Sequence, residues 1–291
     1  MDISVALGGG GARGLAHIGV LQVLEREGFI IRAIAGTSMG GVIAAMYAAG
    51  YSPDEMVGTA SETPPMGLLR ARPEGAGLIG LGRVAEFMKK GIGDRTFADM
   101  RIPLALTATD LEMGREVVIT QGNVVDGILA TIALPGIFSP KIQGDTRLVD
   151  GGMVDPVPVR PARELFPAAP VVAVALSPKP EEWGTKRSPS PLGTLPVLDM
   201  FSRLRPGQAL NVFLRALEIS ARSMTELHLQ VDKPDVIIRP AVSHIGLLQQ
   251  APVSEAADLG AKATEEALPE LRALFTPSRR LARQVRGLFG R

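Results

Sequence analysis

The sequence contains no cysteine. That excludes disulfide bridges, thiolate nucleophiles and cysteine-ligated zinc. Histidine is scarce. His17, His228 and His244 are the whole supply, too few for an all-histidine metal centre. The chain also lacks a charge excess of either sign. Lys plus Arg number 31 and Asp plus Glu 30, for a net charge of +1. A nucleic-acid binder is usually far more basic, so no nucleic-acid partner is expected. No apolar run approaches the ~18 residues of a transmembrane helix. The first residues, Met1 to Leu7, lack a basic segment followed by a long apolar stretch, so no signal peptide is expected. A cytoplasmic location is expected, with any contact to the inner face of the membrane being peripheral.

Glycine and proline are abundant instead. The 291 residues include 33 Gly and 23 Pro, an excess that calls for tight turns and close backbone approaches. With 46% hydrophobic and 21% charged residues, the chain is globular rather than disordered. Residues 3–7 form a short apolar run entering Gly8-Gly9-Gly10-Gly11, and residues 15–27 have a helical pattern. A second apolar, β-branched run at 30–35 enters Gly36-Thr37-Ser38-Met39-Gly40-Gly41, followed by a small-residue helix over 42–49. Alternating strand and helix predict a parallel sheet with helices on its faces. Further strands are expected at 104–109, 117–120, 148–149, 171–176 and 236–238, and helices at 125–134, 208–229 and 254–275. Residues 52–100, broken by Pro64, Pro65 and Pro73, resist assignment and suggest a mobile cover. The proline-rich stretch 178–206 reads as an excursion. One domain over 1–291 is expected, with its core at about 3–176 and a helical part at 208–291.

Three short motifs carry the chemistry. Gly36-Thr37-Ser38-Met39-Gly40 fits the G-x-S-x-G nucleophile elbow, between a predicted strand and a predicted helix. The helix N-terminus places unpaired N–H groups and a positive dipole beside Ser38. Read structurally, the same glycines only relieve crowding in a tight connection. Gly9-Gly10-Gly11-Ala12-Arg13-Gly14 also joins a strand to a helix, and successive N–H groups there can form an anion-binding nest. Its G-x-G-x-x-G spacing fits a dinucleotide site poorly, because 30–35 carries no acidic residue. Arg13 reads either as a compensating charge or as a solvated residue at a helix start. Asp150-Gly151-Gly152 puts a carboxylate at a strand end, where a cleft forms in a doubly wound sheet. Asp150 can serve as a general base for Ser38, or be an ordinary D-G turn.

Taken together, these motifs resemble the patatin-like phospholipase family, in its short bacterial cytosolic form. Gly14-Leu15-Ala16-His17-Ile18-Gly19-Val20-Leu21, Thr109-Asp110 and Leu134-Pro135-Gly136-Ile137-Phe138 add to the likeness, which covers about residues 3–176. The resemblance implies a three-layer α/β/α sandwich around a largely parallel sheet. It implies lipid acyl hydrolysis by a Ser–Asp dyad, with Ser38 as nucleophile, Asp150 as base, and Gly9, Gly10 and Gly11 as the oxyanion hole. Neither metal nor organic cofactor is needed. Arg13, Gly14, Gly36, Gly40, Gly151 and Gly152 support the motifs. Asp155 departs from the family, which often has asparagine there. In a dyad no histidine is required: His228 falls on the apolar stripe of its helix, His17 packs towards the sheet, His244 lies in a loop, and Asp110 is a turn residue. The alternatives are a carboxylesterase or acyltransferase acting on soluble esters, and a weakly active regulatory protein of the same fold.

Two further features bear on a lipid substrate. Met66, Leu68, Leu69, Leu78, Ile79 and Leu81 can line an acyl groove or simply pack beneath a loop. Residues 278–291 hold five arginines and no acid, with Leu281, Val285, Leu288 and Phe289 on one helical stripe. Such a helix can lie on anionic lipid as a peripheral membrane contact, or dock on the domain.

Overall fold

A computed structural model describes residues 1–68, 79–183 and 205–277. In chain order these residues form β1 (Asp2–Leu7), α1 (Ala16–Arg26), β2 (Ile30–Thr37), α2 (Met39–Ala49), α3 (Pro53–Glu62), α4 (Gly82–Ile92), β3 (Leu104–Asp110), β4 (Arg115–Ile119), α5 (Val124–Thr131), β5 (Lys141–Gln143), β6 (Thr146–Asp150), α6 (Val159–Leu165), β7 (Val171–Val174), α7 (Arg205–Asp232), β8 (Val236–Ile238) and α8 (Val253–Ala273).

The strands form one sheet in the order β5-β6-β3-β2-β1-β7-β8, with β4 also paired to β3. β3, β2, β1, β7 and β8 run parallel, while β4, β5 and β6 form an antiparallel margin. Alternate residues of each central strand enter different cores. Val5, Leu7, Ile34, Val172 and Val174 join the large cluster under α1, α2, α5 and α8. Ala6, Ala35, Ala105 and Ala173 face the smaller cluster with Val159 and Ala162 of α6. Small side chains on that face let α6 approach closely. The result is an α/β/α sandwich. α1 and α8 cross with backbones almost touching: a Cβ on Gly19 would overlap the Ala257 carbonyl, and one on Gly260 the Ala16 carbonyl.

The register of β3 positions the site. Residues 106–107 of β3 pair with both β2 and β4, and residues 108–110 with both β4 and β6. β2 and β6 therefore share one edge of β3, end to end. β2 arrives at Thr37 opposite Thr107, and antiparallel β6 arrives at Asp150 opposite Ala108. The residue after β2 and the last residue of β6 thus meet head-on, although 112 positions separate Ser38 from Asp150 in the sequence.

Residues 52–100, which resist assignment from the sequence, hold regular helices among their described residues. α3 begins with a Ser52/Glu55 capping box and Pro53 in its first turn. α4 buries Val84, Met88 and Ile92 at four-residue spacing. The antiparallel β5, at Lys141–Gln143, had no clear pattern in the sequence. Most of the proline-rich stretch (184–204), the basic tail 278–291, and Leu69 and Leu78 of the expected groove lie outside the described residues.

Candidate active site

Ser38 sits between β2 and α2 with φ 54° and ψ −127°. A non-glycine residue adopts that backbone at a cost of order 1–3 kcal/mol and keeps it only when its surroundings force it. Here they do. The Ser38 N–H donates to Thr131 Oγ1 at 2.8 Å. The preceding Thr37 hydroxyl donates to the Asp155 carbonyl at 2.9 Å, so Thr107 Oγ1, 2.6 Å away, must donate to it. The glycines of the motif mark contacts between backbones. A Cβ on Gly40 would collide with the Leu7 and Gly8 carbonyls, and one on Gly36 with the backbone of Gly40. The first turn of α2 thus lies directly against the sheet, with its positive end beneath Ser38.

Asp150 is anchored on every side. Its N–H donates to the Ala133 carbonyl at 3.0 Å, and its own carbonyl accepts from the Thr109 hydroxyl at 3.0 Å. Oδ1 accepts the Gly152 N–H at 2.8 Å. Asp150 is 5% exposed. Burial raises its pKa to about 6, against hydrogen bonds from the Ser38 hydroxyl and the Gly152 N–H that favour the charged form. That value leaves the charged form favoured at neutral pH.

The glycine loop faces the same point: a Cβ on Gly9 would lie 3.3 Å from Ser38 Cβ. The Gly9 N–H, however, already donates to the Pro156 carbonyl at 2.9 Å. It is therefore not available to an oxyanion, which corrects the expectation for Gly9. The N–H groups of Gly10 and Gly11 have no protein acceptor among the described residues. Gly11 has φ +56°, and a Cβ there would run into the Leu247 carbonyl. His17 braces the loop from below. It is fully buried, burial lowers its pKa to about 4, and its Nε2–H donates to the Gly8 carbonyl at 2.8 Å.

Arg13 is buried, not solvated. Its Nε donates to the Ile245 carbonyl at 2.6 Å, and Nη2 lies 2.6 Å from Glu218 Oε1 on α7. Arg215 and Arg222 each reach Glu218 at 3.1 Å. Burial would raise the Glu218 carboxyl, but Arg13, Arg222 and Arg215 outweigh it and hold the pKa below its usual value. The glycine loop is thereby tied to α7. The motifs alone did not point to Glu218 or Thr131. An acid beside the apolar stripe of a long helix was the one available signal for Glu218, since a buried carboxylate needs a cation.

Ser38, Asp150, Gly10 and Gly11 lie on the wall of one cavity of about 410 Å³. The rest of its lining is overwhelmingly apolar, drawn from α2 (Val42, Met46), α3 (Met56), α4 (Val84, Met88) and α7 (Leu214). Of the expected groove residues, Leu68 lines the cavity. Ile79 packs against Phe138 and Leu81 joins that same cluster. No histidine lines the cavity among the described residues.

The patatin-like phospholipase profile matches residues 5–163. The chain belongs to the patatin-like phospholipase family. An uncharacterized NTE family protein of Mycobacterium tuberculosis is 36% identical over 162 residues, covering 55% of this chain and 45% of the relative. The lysophospholipase NTE1 of Mycosarcoma maydis is 34% identical over 176 residues, covering 55% of this chain and 9% of that protein. The chain thus spans less than half the length of these curated relatives. Among solved structures, VipD from Legionella pneumophila aligns with 92% of this chain and 66% of its own, with a TM-score of 0.48 and 12% identity.

The patatin-like motifs converge, whereas the other sequence candidates lie elsewhere. Asp110 closes the β3–β4 turn, its Oδ1 accepting from the Glu112 and Met113 N–H groups at 3.1 and 3.2 Å. His244 is exposed and pairs with Glu255 at 3.2 Å. His228 continues the Leu214–Leu217–Ala221 face of α7, where it meets a polar cluster, 3.5 Å from both Asp155 and Asp232. Gly14 packs against the Met39 side chain and Gly151 against the Thr107 carbonyl, so both are close-approach sites. Asp155, where the family often has asparagine, is a buried acid. Burial raises its pKa to about 8, helped by Glu116 and Asp232, against the Val157 N–H. No helix among the described residues is long and apolar enough to cross a membrane, and no group of three or more His, Asp or Glu residues there is arranged to hold a metal ion.

Proposed function

We propose that this chain hydrolyses the acyl ester of a lipid, with Ser38 as nucleophile and Asp150 as its base. The observation that carries the reading is that the register of β3 brings Ser38 and Asp150 together on the wall of one apolar cavity. Ser38 Oγ attacks the acyl carbonyl and its proton passes to the Asp150 carboxylate. The N–H groups of Gly10 and Gly11 donate to the developing oxyanion, an effect worth about 3–4 kcal/mol per donor. Collapse of the tetrahedral intermediate expels the alcohol, which takes the proton from Asp150. Water, deprotonated by the same carboxylate, then attacks the acyl-serine; the Ser38 Oγ–acyl bond breaks, Oγ takes the proton back from Asp150, and the fatty acid leaves. The acyl chain lies in the apolar cavity meanwhile. The relative named a lysophospholipase supports a lipid substrate. A fluorophosphonate probe tests the reading. It should label wild-type protein and leave folded Ser38→Ala unlabelled and without esterase activity. Labelling that persists in Ser38→Ala would refute it.

A further inference from the structure

α7 is built inside out. Its ionisable residues from Glu218 to Asp232 turn towards the protein, with Arg215, 34% exposed, on the flank. Glu218 meets Arg13, Glu226 meets Arg239 at 2.7 Å, and His228 meets Asp155. From residue 207 to 231 no exposed position carries a charge. The exposed positions hold Val212, Phe213, Ile219, Leu227 and Val231, at 71%, 43%, 56%, 52% and 68% exposure. Alanine, serine and glutamine fill the gaps between them. A helix on a protein surface normally turns its polar face to water.

The opposite face of the same helix is a wall of the active-site cavity, through Leu214, Leu217 and Ala221. Phe213 also packs over Gly136: a Cβ there would lie 3.5 Å from the Phe213 ring. The adjoining Leu134 and Phe138 line the cavity. One helix therefore separates the cavity, with its paired Glu218, inside from an apolar stripe outside.

We propose that the exposed stripe of α7 lies in the interface of a zwitterionic phospholipid bilayer, and that the bilayer supplies the substrate there. The purpose given to the surface rests on the hydrolase reading above. Two observations select lipid. The stripe runs about 28 Å from Val212 to Val231 on a helix about 10 Å wide, well short of the ~800 Å² that each partner buries in a standard protein interface. A bilayer needs no matched surface and rewards apolar area alone. The absence of lysine and arginine from the exposed face removes the attraction to anionic headgroups that basic interfacial helices use.

Flotation with vesicles tests the surface independently of catalysis, using the full chain and Ser38→Ala. Both proteins should float with vesicles of phosphatidylcholine alone. Adding phosphatidylserine, or raising the salt, should change the bound fraction by less than about twofold, because Coulombic attraction is not the driving force. The triple variant Val212→Ser/Ile219→Ser/Leu227→Ser should lose ~10-fold or more in partition and as much in hydrolysis of vesicular substrate, while hydrolysing a soluble short-chain ester normally. Ser223→Leu, which fills a gap at the centre of the stripe, should bind more tightly. Three outcomes would overturn the surface: no flotation of the wild type, flotation that needs anionic lipid and survives the triple substitution, or a wild-type dimer that the triple variant renders monomeric. Flotation without any ester hydrolysis would retain the surface and remove only the hydrolase reading. A normal soluble esterase that does not float would do the reverse.

Discussion

The floor and the roof of the cavity are held together in different ways. The floor consists of four strand ends: the glycine loop after β1, the elbow after β2, the Thr107–Asp110 end of β3 and the turn after β6. Backbone atoms there approach one another closely, and almost every polar group is fixed by a hydrogen bond. The roof is made by α2, α3, α4 and α7, where apolar side chains pack against empty space. A floor position tolerates one residue type, often glycine, because a single methyl group collides with a carbonyl. A roof position tolerates any apolar side chain of similar volume. Substitutions should therefore divide between loss of rate at the floor and change of substrate at the roof.

Asp150→Asn should have the largest effect, lowering kcat by ~10²–10⁴-fold in a folded protein with KM little changed, as steady-state kinetics with a soluble ester would reveal. Gly11→Ala should follow, with kcat falling ~10²-fold or more, since the residue is at φ +56° and faces the Leu247 carbonyl. Gly10→Ala should cost less, because its Cβ would meet the movable Leu176 side chain. At the roof, Met46→Trp should lower kcat/KM for long-chain esters by ~10-fold or more relative to short-chain esters, with the short-chain rate preserved. An equal loss for both chain lengths would erase the distinction between floor and roof.

Asp155→Asn should act on stability alone. In the native state this carboxyl holds its proton up to about pH 8, whereas the unfolded chain releases it near pH 4. Between those values the native state binds more protons, so this group makes stability fall as pH rises. The variant should melt higher than wild type at pH 8 and nearly equal to it at pH 5. Each kcal/mol should appear as about 2–4 °C in Tm.

The same contrast explains what could be read from the sequence. The glycine loop, the elbow and D-G-G were legible because each fixes residue types at close spacing, and the alternation of apolar runs gave the parallel core. The meeting of Ser38 with Asp150 was not written in any local pattern. It follows from β2 and β6 sharing one edge of β3, a fact of register. Gly9 was assigned a donor role that its bond to Pro156 rules out, because a nest motif does not reveal which N–H groups the tertiary structure consumes. Arg13 was ambiguous until Glu218 of α7, far along the chain, was brought beside it. α3 and α4 were missed because prolines and glycines break the pattern between them and each buries only two or three apolar side chains.

The central claim is that a buried aspartate, without histidine, activates Ser38. It is tested most directly by the pH dependence of kcat/KM for a soluble ester in wild type and in the His228→Gln/His244→Gln double variant. Activity should fall with acidity through a single limb near pH 6, where Asp150 takes up its proton, and the double variant should keep both that limb and most of its rate. A double variant that loses ~10³-fold in rate, or a wild-type profile flat from pH 5 to pH 7, would contradict the account.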